Sequence, residues 1–255
     1  MKRVDIKVCN WNNITDKQLI RIAALFREQP EELTFNVKAF MILTDLRLMR
    51  KQTIIDKDGC WRWFKDSRNK KILINLEEIN WVIKKFDWLT NSIQLPNNIK
   101  TIGKYRGTDR KIYTVTLQQY LTADIFYNAY SVKQKIMFLN KFVGCLYLKK
   151  GEVFNPESVN KYGKRFMFKS NNVKTAVYLW FTGVKEFLKN KYPNLFSGAD
   201  DAEPGQDPSE IFLNTLSSLN DGDITRNPKL LNSPVHEAFK QLDVKLEQIK
   251  DLENV

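Results

Sequence analysis

The sequence predicts an α+β protein, mostly α-helical, with a small antiparallel sheet in the N-terminal part, a helical core and a C-terminal amphipathic helix. Three observations carry this. Apolar residues recur at helix spacing through most of the chain. Three short β-rich pieces bounded by turn residues fall between positions 53 and 75. The final helical pattern places Val235, Phe239, Leu242, Leu246 and Ile249 at intervals of four, three, four and three, a narrow coiled-coil-like seam. At 255 residues, the chain can bury roughly 70–75% of its unfolded surface, so it needs no disulfide or metal to hold it.

Taken in order, Val4, Ile6 and Val8 alternate with Asp5 and Lys7 as a short half-buried strand. Thr15 and Gln18 have the spacing of a capping box. They open a helix with Leu19, Ile22, Ala23 and Phe26 on one face, and Pro30 ends it. Residues 36–50 are apolar nearly all round and predict a helix buried on several sides. Ile54–Ile55, Trp61–Phe64 and Ile72–Ile74 predict a small meander, with turns at Asp58–Gly59 and over 67–70. Leu76, Ile79, Ile83 and Phe86 then share one helix face. Residues 91–103 read as a connector, and 104–113 as a hairpin turning at Gly107–Asp109.

Residues 113–148 are the most apolar part and predict a central helix pair. Thr116 and Gln119 form a second capping box, and Ser131 is placed to cap the second helix. Ile136, Leu139, Val143, Leu146 and Tyr147 lie along one side of it. Asn155-Pro156 starts a short helical turn, since Asn caps well and Pro suits the first helical position. Residues 161–169 read as a basic loop. Residues 172–190 form a helix with Val173, Val177, Trp180, Val184, Phe187 and Leu188 at core spacing, stopping at Tyr192-Pro193. An acidic Pro- and Gly-containing linker follows over 197–207. Asp207-Pro208-Ser209-Glu210 starts a short helix ending near Asn220, and Ser233-Pro234 starts the last one. The organisation expected is an N-terminal region 1–115, a helical core 116–196, a linker 197–208 and a tethered helical segment 209–255. Removal of 199–255 is expected to leave a folded body.

Charge is unevenly spread. Residues 1–198 hold 36 Lys or Arg against 17 Asp or Glu, and residues 199–255 hold 5 against 12, within a total of +12. A basic body of this kind meets an anionic partner such as nucleic acid, or an acidic tail of its own chain or of a second copy. Lys104, Arg106 and Arg110 in the expected hairpin, with Lys161, Lys164, Arg165 and Lys169, are the candidate anion or nucleic-acid contacts. The seam Val235, Phe239, Leu242, Leu246 and Ile249 is the candidate surface for a partner helix.

Catalytic chemistry has little to draw on. Cys9, Cys60 and Cys145 are far apart, without zinc or redox spacing. They predict buried free thiols in a reducing compartment. His236 is the single histidine and is expected to be exposed in a helix first turn. No second ligand or base accompanies it. Residues 103–111 lack the order of a phosphate-cradling loop. Asp221-Gly222-Asp223 is a turn without the further carboxylates of a calcium loop. Trp61 and Trp63 alternate as a base-stacking platform would, but a small sheet needs such side chains as core. No catalytic, cofactor or metal residues are assigned, and the expectation is a soluble non-enzyme with no membrane span.

Cys145-Leu146-Tyr147, Trp180-Phe181-Thr182-Gly183, Tyr192-Pro193-Asn194-Leu195-Phe196, Asp221-Gly222-Asp223-Ile224-Thr225 and the closing amphipathic helix follow one another in an order that resembles uncharacterised tail-module proteins of phages and prophages of Bacteroidetes-type bacteria. The likeness covers about residues 113–255. It implies a virion structural component or tail assembly factor, not a catalyst. Such a protein works through contacts with other phage proteins or its own copies, in the host bacterial cytoplasm during assembly or in the virion. It carries over no functional residues.

Overall fold

The computed structural model describes residues 10–56, 59–66, 68–83, 89, 95–196, 217 and 227–253. Cys9, the strand expected at 4–8, Asp58, Phe86, the acidic linker, the helix start at 207–210 and the Asp221–Asp223 turn lie outside them. The class is α+β and mostly α, with a three-stranded antiparallel sheet in the N-terminal part. The chain forms two compact units. One comprises Met1–Asn97 and Asn171–Trp180, the other Asn98–Ser170 and Phe181–Val255.

In the first unit, Thr15 Oγ1 accepts from the Gln18 amide at 3.3 Å, and Gln18 Oε1 accepts from the Thr15 amide at 3.0 Å. This capping box opens α1 (Asp16–Glu28), which buries Leu19, Ile22 and Ala23. Gln18 Nε2 also donates to the Leu43 carbonyl at 3.1 Å, so the cap ties α1 to the end of α2 (Glu32–Leu43). The helix expected over 36–50 is formed only as far as Leu43, within α2. The backbone turns left-handed at Asp45, φ 54°, and Arg47–Asp56 becomes strand β1. β1 pairs antiparallel with β2 (Gly59–Lys65), with Ile54 opposite Trp61. Ladder bonds and cross-strand pairing outweigh a helical pattern that lacked a partner strand.

The meander is as expected. β2 pairs with β3 (Lys71–Asn75), Trp63 opposite Leu73. In their turn the Asp66 carboxylate accepts from the Arg68 and Lys70 amides at 2.9 and 2.8 Å. Phe64 and Ile74 are buried, and Phe64 meets Phe40 edge-on at 6.3 Å. Trp61 and Trp63 are half-buried on the other face. Asn75 Oδ1 accepts from the Glu77 amide at 2.8 Å at the start of α3 (Leu76–Ile83), which buries Ile79.

The second unit has its own sheet of β4 (Thr101–Ile102), β5 (Tyr105–Gly107) and β6 (Tyr147–Lys149), all antiparallel in that order. The hairpin therefore turns at Gly103–Lys104, not at Gly107–Asp109. Gly103 takes φ 64°, whereas Gly107 lies in the strand because a Cβ there would sit 2.8 Å from the Tyr147 ring. Asp109 organises the loop beyond. Its carboxylate accepts from the amides of Lys111, Tyr113 and Thr114 at 3.1, 3.0 and 2.8 Å.

Thr116 caps α4 (Leu117–Lys133) by accepting from the Gln119 amide at 3.2 Å. The reciprocal half of the expected box is missing because Gln119 Nε2 instead donates to the Cys145 carbonyl at 2.7 Å. Ser131 stays inside α4 and caps nothing. Gln134 at φ 51° makes the break, and α5 (Ile136–Leu146) follows without a side-chain cap.

Asn155 caps the turn Pro156–Ser158 as expected. The basic stretch that follows is a helix rather than a loop. α6 (Val159–Phe166) buries Val159, Tyr162, Gly163 and Phe166, the spacing of one helix face. α7 (Asn171–Lys191) and the short α8 (Pro193–Phe196) come next, then α9 (Asn227–Leu231) and α10 (Val235–Glu253).

Two packing features hold this unit. α5 and α6 touch backbone to backbone, since a Cβ on Gly144 would lie 2.8 Å from the Tyr162 carbonyl carbon. Around Phe181, the rings of Tyr120, Tyr127 and Phe142 stand at 5.7, 5.4 and 5.1 Å. α10 completes the core with Val235, Ala238, Phe239 and Leu242, all buried. Phe239 meets Tyr120, Tyr192 and Phe196 edge-on at 5.2, 6.0 and 5.9 Å. The Val235 amide donates to the Val115 carbonyl at 2.9 Å. The first half of α10 is therefore core and not a detached segment, so removal of 199–255 strips the unit of buried apolar surface.

Gly144→Ala is expected to lower stability by about 1–3 kcal/mol through overpacking. Gly163→Ala should do less, because its nearest obstacle, at 2.9 Å, is the side-chain Cγ of Lys141, and the Lys141 backbone stands off at 3.4 Å. Phe239→Ala should lower it by about 3–5 kcal/mol. Urea unfolding followed by circular dichroism checks all three.

Candidate functional site

The candidate site is the surface built by α6, the corner after it and the β4–β5 turn. Tyr105 of β5 packs on Phe166 at 5.0 Å, which seats the turn against the helix. Arg165 is fixed there. Its guanidinium lies over the Tyr162 and Tyr105 rings at 4.7 and 5.6 Å. Nη1 and Nη2 donate to the two Glu152 carboxylate oxygens at 2.8 and 2.6 Å. The hydrogen bonds from Arg165 hold the Glu152 carboxyl below its ordinary pKa. Arg165 is thus a bracket between α6 and the loop after β6, engaged on its own chain.

The lysines differ. Lys161 and Lys164 are exposed on α6, one turn apart, and Lys104 is exposed in the β4–β5 turn. Lys169 Nζ lies 3.1 Å from where a Gly103 Cβ would stand. The structure therefore brings residues 103–104 and 161–169 together. None of these four lysines makes an ion pair among the described residues. At the corner after α6, Met167 and Phe168 point outward, 54% and 90% exposed. Sequence reasoning missed them because a loop was expected here. Read as a helix, Val159, Tyr162 and Phe166 fill the inner face, which leaves the next two apolar residues without a place in the core.

The other candidate contacts lie apart. Arg106 pairs with Thr101 and Leu148 across the sheet, so it stands on the opposite face from Tyr105. Arg110 is half-buried in the loop shaped by Asp109. Further cations are held internally: Lys185 pairs with Asp124 at 2.7 Å, and Lys111 lies over the Phe187 ring at 5.1 Å. Of the seam on α10, Val235, Phe239 and Leu242 are buried in their own unit. Leu246 is half-buried and Ile249 half exposed.

His236 is buried, not exposed as expected. Its Nε2 lies 2.7 Å from the Lys111 carbonyl, which can only accept, so Nε2 bears the proton. Nδ1 then accepts from the Tyr192 hydroxyl at 2.8 Å and faces Lys191 Nζ at 3.3 Å. The Tyr113 ring stacks on the imidazole at 4.2 Å. The ring locks the start of α10 to the loop before α4. Among the described residues, no group of three His, Cys, Asp or Glu could hold a metal ion. Burial pushes the Cys145 thiol well above its ordinary pKa, which leaves it inert. No described helix is long and apolar enough to cross a membrane. No protein-family model, curated protein or solved structure matches the chain.

Burial, reinforced by the charge of Lys191, lowers the His236 pKa against the pull of the Lys111 carbonyl. The folded chain therefore takes up this proton less readily than the unfolded chain, whose value is about 6.5. The stability contribution is complete above that value and falls as pH drops from it towards the lower folded value. Thermal melts between about pH 7 and about pH 5 should show this loss, and His236→Gln should flatten it.

Proposed function

We propose that this chain is a non-catalytic assembly protein that works by docking on other proteins, as a structural or assembly component of a phage tail module. The observation that carries the docking reading is the exposed Met167–Phe168 pair set among Lys104, Lys164 and Lys169. Aromatic and Met side chains are enriched at protein interfaces, and a few such anchors supply most of the binding energy. Lysines beside them that form no ion pair among the described residues favour an acidic partner surface and set its orientation. Segment 199–255 of a second copy, with 12 acidic against 5 basic residues, has that character. The tail-module assignment rests on the resemblance over residues 113–255.

Nucleic-acid binding is the second reading, and Lys161 with Lys164 on one helix favours it. Against it stands the internal engagement of Arg165 and Lys185. A phosphate-binding groove keeps its cations free for the backbone.

Size exclusion with light scattering at low and high salt separates the two readings. Assembly predicts a species heavier than the monomer at low salt that Phe168→Asp or high salt returns to monomer. A monomer throughout, with duplex DNA binding abolished by Lys161→Glu with Lys164→Glu, would replace it with the nucleic-acid reading.

A further inference from the structure

On the opposite face of the β4–β5–β6 sheet, within the second unit, lies an open cleft of about 270 Å³. It is formed where β5, the Asp109 loop, the start of α4 and the loop after β6 meet. Leu146, Leu148 and Phe154 give it an apolar floor, and Arg106, Thr108 and Thr116 give it polar walls.

The polar side is held in place from behind. Asn98 Nδ2 donates to the Thr108 carbonyl at 2.7 Å, and Asn98 Oδ1 accepts from the Tyr147 hydroxyl at 2.7 Å. Gly107 admits the Tyr147 ring, which a Cβ would meet at 2.8 Å. Thr114, also on the wall, is fixed by Asp109, whose carboxylate accepts from its amide and hydroxyl at 2.8 Å each. The backbone at Ile112, between these fixed points, is left-handed at φ 57° although the side chain is β-branched and buried. That is a strained conformation of the kind found at functional sites.

Two groups on this wall lack such a partner among the described residues. Arg106 is exposed and forms no ion pair among the described residues. Thr108 Oγ1 is buried and has no hydrogen-bond partner there. The one carboxylate on the lining, Glu152, is neutralised by Arg165, so the charge open to the cleft is the guanidinium of Arg106.

We propose that this cleft binds a small hydroxylated organic anion, a phosphate monoester or carboxylate of about monosaccharide size. Arg106 takes the anionic group, since its planar fork suits carboxylate and phosphate oxygens alike. The hydroxyls of Thr114 and Thr116 meet the ligand hydroxyls, and the leucines with Phe154 cover its C–H face. The volume lies just under the range of pockets for drug-sized ligands, which begins at about 300 Å³, so a nucleotide is too large to be enclosed. This site is independent of the docking surface around Phe168.

Calorimetric titration of the full chain with glucose 6-phosphate, gluconate, glucose and inorganic phosphate tests it. Saturable binding of glucose 6-phosphate or gluconate, with neither glucose nor inorganic phosphate comparable, is expected, and which of the two binds separates phosphate from carboxylate. Arg106→Gln should weaken it at least about tenfold, and Lys161→Gln should leave it unchanged. No saturable binding of any probe, or binding unaltered by Arg106→Gln, overturns the proposal.

Discussion

Tyr147 is the constraint on which the second unit depends. It stands where α5 ends and β6 begins, fully buried. Its hydroxyl lies 2.7 Å from Asn98 Oδ1 and 2.6 Å from the Ile99 carbonyl, its ring covers Gly107, and Phe166 meets it edge-on at 6.4 Å. One side chain therefore fixes the connector, the central strand and α6 against the end of the most buried helix. A phenol buried this deeply is stable only with its hydroxyl satisfied. The positions of Asn98 and Ile99 follow from that requirement. So does the small-residue demand at position 107, because ring and strand backbone share a space with no room for a Cβ.

What could be read in the sequence was whatever is encoded locally. The Thr15–Gln18 box, the Asn155-Pro156 turn and the three β pieces carry their own side-chain chemistry within a few residues, and each was legible. What failed was decided at long range. Residues 47–50 look helical in isolation, but the ladder with Gly59–Lys65 claims them. Gln119 has the right spacing to close a box, but a carbonyl at Cys145 is the stronger competitor. Gly107 looked like a turn because glycine marks turns, yet here it answers to a ring forty positions on. His236 looked exposed because a helix first turn faces solvent by default, and only the loop around Lys111 encloses it.

The candidate surface shows the same division. The density of lysine and aromatic residues in 161–169 was plain, but not which of them are available. Arg165, the best phosphate ligand in that stretch by its chemistry, is removed from contention by Glu152, thirteen residues earlier. Phe168, which had no place in the charge argument, emerges as the most exposed aromatic among the described residues. Charge counting finds the neighbourhood of the candidate surface. The partition between engaged and free groups needs the packing.

That partition also explains how one small sheet can serve two different surfaces. In an antiparallel pair, successive residues point to opposite faces, so Tyr105 and Arg106 cannot act on the same side. Tyr105 turns towards Phe166 and supports the lysine-rich corner. Arg106 turns towards Leu148 and the threonine-lined cleft. The one charge of the strand, on Arg106, therefore stands on the cleft side, while the lysines near Tyr105 belong to the turn and to α6. Because Tyr147 and Gly107 fix the pleat that separates them, a change in either residue should disturb both surfaces together, whereas changes at Phe168 or Arg106 should each disturb only one.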